Sequence, residues 1–398
     1  MNPPPNILWL VTTQWRAQAC GYAGDANART PALDVLAAES VNYRQAVTPH
    51  PFGPFARAAL LTGVRSPKNG VVDYFDPLPT GSRTIAHALR ERGYTTAYFG
   101  KWHLAARDPL APILGEIHAK TIIPPEARGG FEWWEAFEGG FLLNDPFVHG
   151  TRFPEPTALP GYQSDVLCDR ARLWTARAGP WFCVVSLEPP HPPYEAPSAG
   201  TLAPPPESLV LAPNVPVGGA VESRARRELA GYYAHIEATD RAIGRLLNAV
   251  AREKTIIVFT SVHGDMHGAH GLFRKGWPHE ESVRVPLLVH LPAVPPRHDD
   301  SPVSLADLPE LTTRWSDGIS ARPPHDRVAI SMPSVVALPH QCDRVWRGVR
   351  TRSRKLVLNA DGSPWLFFDL ERDPFEMENL VSRPERASEM AELQRSIA

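Results

Sequence analysis

Cysteine is scarce in this chain. The 398 residues hold four, Cys20, Cys168, Cys183 and Cys342, far apart and with no CxxC pair. That spacing excludes a disulfide scaffold and a CxxC-type zinc or redox motif. Cys20 and Cys183 sit among apolar residues, and all four read as reduced thiols of a cytoplasmic protein. A charge imbalance is also missing. There are 41 Lys and Arg against 43 Asp and Glu, a formal net charge of −2. No global field therefore favours nucleic acid or an anionic membrane. The apolar run in MNPPPNILWLV is too short to span a bilayer and has no basic residues before it. It reads as a buried first strand rather than a secretory leader. No internal repeat is visible.

What is present is a large apolar fraction, 43%, with 21% charged residues. That suffices for one big α/β core, alone or with a small appendage. Proline is abundant, 43 residues, roughly twice average usage. It clusters in stretches such as LEPPHPPYEAPSAGTLAPPPE, which read as stiff surface loops. Five runs are continuously apolar: NILWLVTT (6–13), TTAYFG (95–100), WFCVVSLE (181–188), TIIVFTS (255–261) and PLLVHLP (286–292). Such runs predict strands covered on both faces. Helical patterns lie between them. TPALDVLAAES begins after Asn27–Pro31. SRTIAHALRERG has Ser82 as N-cap and Gly93 as stop. A long amphipathic helix precedes TIIVFTS. In TPHPFGPFARAALLTG a proline-broken loop leads to a helix expected to open near Arg57. The alternation predicts a mostly parallel sheet between helices.

Polar residues follow four of these strands: Gln14, then Lys101 and His103, then His191, then His263 and Asp265. Ligands of open α/β sheets bind outside the carboxyl ends of the strands. Four clusters distant in sequence thus point at one rim, as an active site would.

At these residues the chain resembles the sulfatase branch of the alkaline phosphatase superfamily, especially its arylsulfatase and phosphonate monoester hydrolase members. PNILWLVTTQWRAQACGYAGD resembles the family's opening strand and loop, and ARAALLTG the end of its nucleophile motif. GYTTAYFGKWH, HPPY, GYYAHIEATDRAIGRLL, VFTSVHGDMHGAHGLFRKG and EESVRVPLLVHLP follow in family order. SRKLVLN and GSPWLFFDLERDPFEMENL resemble its small terminal sheet. The resemblance implies an alkaline phosphatase-like α/β/α sandwich over 1–310. A C-terminal sub-domain with a short antiparallel sheet would follow over 325–398.

The family's chemistry uses a formylglycine nucleophile and a divalent cation held by acidic pairs, with Lys and His on the substrate's oxygens. Mapped by the resemblance, the first metal pair is Thr13-Gln14, the nucleophile motif begins at Gly53, and the later pair is Val262-His263. Both carboxylates and the nucleophile are missing. A neutral amide and imidazole cannot offset the desolvation of a divalent cation, so no metal or other cofactor is expected there. The outer ring persists by the same mapping: Arg57, Lys101, His103, His191 and Lys275, with His263 beside them. Without the acids, Arg57, Lys101 and Lys275 are expected to attract an oxyanion. Gln14 and Gly53 would line the same pocket.

Three functions follow. The first is a pseudoenzyme that holds a small anion, or meets a protein partner or a second copy. The second is a repurposed metal-independent enzyme whose catalytic groups are Lys101, His103, His191, Lys275, Arg57 and His263. The third is a sulfate or phosphonate ester hydrolase with a rebuilt site, such as zinc on His263, His267 and Asp265.

Overall fold

The computed structural model describes residues 3–319, 321, 323 and 325–397. Met1, Asn2 and Ala398, at the outer ends of the two expected units, lie outside the described residues.

The five apolar runs form the middle of a ten-stranded sheet. Across it the order is Arg297–Asp299, Val41–Tyr43, Leu287–His290, Thr255–Ser261, Asn6–Thr12, Trp181–Ser186, Thr95–Lys101, Trp133–Phe137, Phe147–Gly150 and Thr157–Ala158. The central strands, from Thr255–Ser261 to Trp133–Phe137, all run parallel. Leu287–His290 runs antiparallel to Thr255–Ser261. The chain between them is spent on the site loop and short helical turns, so no crossover helix returns it to the start of the strand.

The strands do not alternate in polarity because both faces are covered. Ile7, Trp9 and Val11 pack with Phe55, Leu89 and Leu308 on one side. Leu8 and Leu10 pack with Leu167, Tyr232 and Leu246 on the other. The helices Gln163–Thr175 and Ala220–Leu247 cover the second face, and Gly53–Thr62, Ile85–Arg90 and Leu308–Ser316 the first.

Two helix starts differ from expectation. The helix placed near Arg57 opens at Gly53, because Pro54 falls in the first turn, where its missing N–H is not needed. Thr84, not Ser82, caps Ile85–Arg90, its hydroxyl accepting from the Ala86 N–H at 3.2 Å. The cap lies nearer the apolar run that the helix buries.

The C-terminal strands Arg327–Met332, Trp346–Thr351, Arg354–Asn359 and Pro364–Asp369 form a separate antiparallel sheet. Val349, Leu356, Leu358 and Phe367 pack under the helix Ala387–Arg395. Val328, Ile330, Val357 and Phe368 on the other face join the core of the large sheet. Among the described residues no helix is long and apolar enough to cross a membrane.

Gly100 shows how tightly the central strands are drawn together. It has φ 97°, and a Cβ there would lie 2.1 Å from the Ser186 carbonyl oxygen on the next strand. Gly100→Ala is expected to lower the unfolding free energy in urea by roughly 2–4 kcal/mol. A loss below about 0.5 kcal/mol, the size of an ordinary surface change, would show that the two strands can part freely.

Candidate anion pocket at the carboxyl rim of the sheet

The strands deliver the expected residues to one place. Thr13, Gly53, Lys101, His103, His191, His263 and Lys275 line a cavity of about 470 Å³. Apolar side chains line it too, among them Tyr74, Ile113, Leu114, Phe141 and Leu338. Gln14 and His103 have positive φ, 66° and 60°, so the chain turns sharply as it leaves each strand. Backbone held in that sparsely populated region is what a site under positional demand shows.

Three expected site residues do not reach the cavity wall. Arg57 is 2% exposed and lies beneath it. Its guanidinium donates to the Lys101 carbonyl at 3.0 Å, to Ser186 Oγ at 2.7 Å and to Thr13 Oγ1 at 2.9 Å. It ties three strand ends together and is not placed to grip a ligand. Gln14 is fully buried and acts as a relay. Its Oε1 accepts from Lys275 Nζ at 2.5 Å, and its Nε2 donates to Asp265. Val262 is fully buried in the apolar core.

The expectation of cations without acids is also corrected. Lys101 Nζ lies 2.5 Å from Glu188 Oε1, and both side chains are almost fully buried. A buried ammonium needs such a partner. Gln163 holds that carboxylate from the other side, donating to Glu188 Oε2 at 3.2 Å and accepting the Glu188 N–H at 2.8 Å. Lys101 also stands 4.3 Å from the centre of the Phe141 ring. Glu188 is the last residue of the apolar run WFCVVSLE, a signal the sequence did carry.

The histidines are neutral donors and acceptors. Burial, with Arg107 and Lys101 nearby, holds His103 well below the ordinary histidine range. Its Nε2 accepts from Arg107 at 2.8 Å, so the proton sits on Nδ1. Burial and Lys275 do the same to His191. That ring donates from Nδ1 to the Pro192 carbonyl at 2.7 Å and accepts Lys275 at Nε2, 3.2 Å. His263 donates from Nδ1 to the Gly264 carbonyl at 2.9 Å, and its buried Nε2 has no partner. Arg107, itself 3.3 Å from buried Glu138, orients His103. Neither residue stood out in the sequence.

His103 fills the space over residue 53. A Cβ at Gly53 would lie 2.8 Å from His103 Nδ1. Asp265 accepts from Gln14, from Tyr194 at 3.1 Å and from the N–H groups of His267 and Arg274 at 3.0 Å each. Both its oxygens are therefore engaged. His263, Asp265 and His267 do not form a group whose ligand atoms all lie within 4.8 Å of one another.

An α/β/α sandwich with this rim and this terminal sheet defines the sulfatase fold class. The sulfatase family model matches residues 5–316, and the chain belongs to that family. It is 34% identical to an ulvan-active sulfatase of Formosa agariphila, over 96% of this chain and 78% of that one. It is 27% identical to a choline-sulfatase of Rhizobium meliloti, covering 98% and 85%. The solved structure of yidJ from Bacteroides fragilis superposes with a TM-score of 0.87 at 26% identity, covering 100% and 95%. The fold is shared with the phosphonate monoester hydrolase of Agrobacterium radiobacter, TM-score 0.76 at 20% identity, covering 98% and 94%.

Lys275 generates a prediction. Burial pushes its ammonium down to about 7; Asp265 opposes that, and Lys101 and Arg274 add to it. The unfolded lysine titrates near its ordinary value, about 10.4. Between these values the unfolded chain holds more protons, so stability rises with pH across roughly 7–10. Native protein should therefore gain stability relative to Lys275→Met between pH 7 and pH 9, read by denaturant melts. Parallel pH curves for the two proteins would contradict it.

Proposed function

We propose that this chain is a sulfatase-fold protein that binds a small oxyanion at the rim without hydrolysing sulfate esters, a pseudoenzyme. The observation that carries the reading is the His103 ring lying where a side chain at residue 53 would begin. The site lacks a nucleophile, and the space for one has been filled. The residues at the mapped metal positions do not fit a hard divalent cation, which requires anionic oxygens. Thr13 offers a hydroxyl engaged by Arg57 and the Leu187 carbonyl. The oxygen of Gln14 is taken by Lys275, and Val262 has no donor atom.

The anion reading rests on donors. Lys275 uses two neutral acceptors and keeps a third N–H, and Lys101 keeps N–H groups beyond the one on Glu188. His103 Nδ1–H faces Gly53. An arriving oxyanion would restore the full charge of Lys275 through charge-assisted hydrogen bonds. The four buried free thiols accord with a reducing, cytoplasmic setting.

One observation supports a second reading. An amine titrating near neutrality beside the lone pair of His191 is a competent proton acceptor, as a repurposed metal-independent enzyme would need. A substrate screen in which activity disappears in His191→Ala would favour that reading over simple binding.

Two outcomes are expected. Aryl sulfates and phosphonate esters should turn over only at background, on the order of 10⁶ below an enzyme with its nucleophile in place. Turnover that tracks enzyme concentration and survives purification would overturn this. Sulfate and phosphate should raise the melting temperature, less so as sodium chloride is added. The rise should vanish in the Lys101→Met, Lys275→Met double variant. Equal responses from the two proteins would place the anion elsewhere.

A further inference from the structure

A second group of ligating side chains lies outside the pocket. His270 lies within the site loop, between His263 and Lys275, Glu281 lies in the short helix Glu280–Val283, and Glu376 comes from the segment after the terminal sheet. One donor atom from each lies within 4.8 Å of the other two. Glu281 and Glu376 are each 3% exposed. His270 and Glu376 both have φ 55°, so left-handed backbone delivers two of the three.

Acceptors outnumber donors at this point. The Asn214 Nδ2 group faces Glu281 Oε1 at 2.7 Å, the Phe375 carbonyl at 3.1 Å and His270 Nε2 at 3.2 Å. An amide NH₂ has two hydrogens for those three acceptors. The other Glu281 oxygen, Oε2, is buried with no partner, and so is Asn214 Oδ1. Lys355 reaches Glu376 Oε1 at 2.5 Å and Glu280 Oε1 at 3.1 Å. The Glu280 N–H reaches Glu376 Oε2 at 2.8 Å. Those donors leave Glu281 Oε2 unserved, and the two Asn214 hydrogens fall short of their three acceptors. A buried acceptor without a donor is costly. A divalent cation can be shared by several such lone pairs at once.

We propose that His270, Glu281 and Glu376 form a divalent transition-metal site that pins the segment after the C-terminal sheet to the loop carrying His263 and Lys275. One imidazole nitrogen with two carboxylates suits zinc or manganese, and an all-oxygen calcium cage is a poorer match. The Asn214 amide, whose NH₂ now faces the three acceptors, turns over on binding and presents Oδ1 as a fourth ligand. The site is independent of the rim pocket and shares no residue with it.

The test uses the full chain, stripped with chelator and titrated with zinc or manganese alone. About one ion per chain by elemental analysis, with a higher melting temperature, is expected. Glu281→Gln, Glu376→Gln and His270→Ala should each lose the ion. His263→Ala, in the rim pocket, should keep it. Far-UV and near-UV circular dichroism of the stripped variants separates loss of ligation from loss of fold, and Glu281→Gln keeps the shape of the side chain. X-ray absorption on the loaded protein should show one imidazole and otherwise oxygen ligands. The proposal is overturned if the native chain retains neither metal, if folded Glu281→Gln and His270→Ala retain it fully, or if His263→Ala removes it.

Discussion

The buried pair of Lys101 and Glu188 governs the rim. Each stands at the carboxyl end of one of two adjacent parallel strands, and each would be prohibitive to bury alone. Together they fix how those strands end. Removing one partner of a buried pair typically costs about 3–5 kcal/mol, because the other charge is stranded. Gln163 holds the carboxylate from behind, and Arg57 clamps the Lys101 carbonyl to Ser186 and Thr13. The charges that look available in the sequence are the structural keystones of the pocket floor.

The rest of the rim follows from burial. Its imidazoles are neutral because water is excluded and the neighbouring Lys and Arg side chains repel a further proton. Lys275 is the titratable cation because its closest partners, Gln14 and His191, are neutral. Asp265 remains ionised, held down at about 2 against the effect of burial by His267, Arg274 and Lys275. The Gln14 amide links Lys275 to that carboxylate, accepting from the first and donating to the second.

The C-terminal unit belongs to the same economy of partners. Its sheet contributes Lys355 and Arg350, which pair with Glu280 at 3.1 and 2.9 Å. Its second face completes the core of the large sheet. The chain beyond residue 325 therefore lines part of the cavity, through Leu338 to Gln341, and holds Glu280 in the segment that carries His270, His279 and Glu281.

The sequence alone determined the architecture, because strands covered on both faces must be continuously apolar and five such runs stood in order with helices between them. It also determined what residues 13, 53 and 262 cannot do, since threonine, glycine and valine carry no carboxylate and glycine has nothing to oxidise. The two helix starts were misjudged by a few residues because capping depends on which residues the helix buries. Tertiary structure decided the partners. Lys101 meets Glu188 across 87 residues and Lys275 meets Gln14 across 261. His103 covers Gly53 while Arg107, paired with Glu138, donates to its far nitrogen. Composition can supply a lysine and a glutamate, but whether the lysine is free or paired is settled by which strands lie side by side.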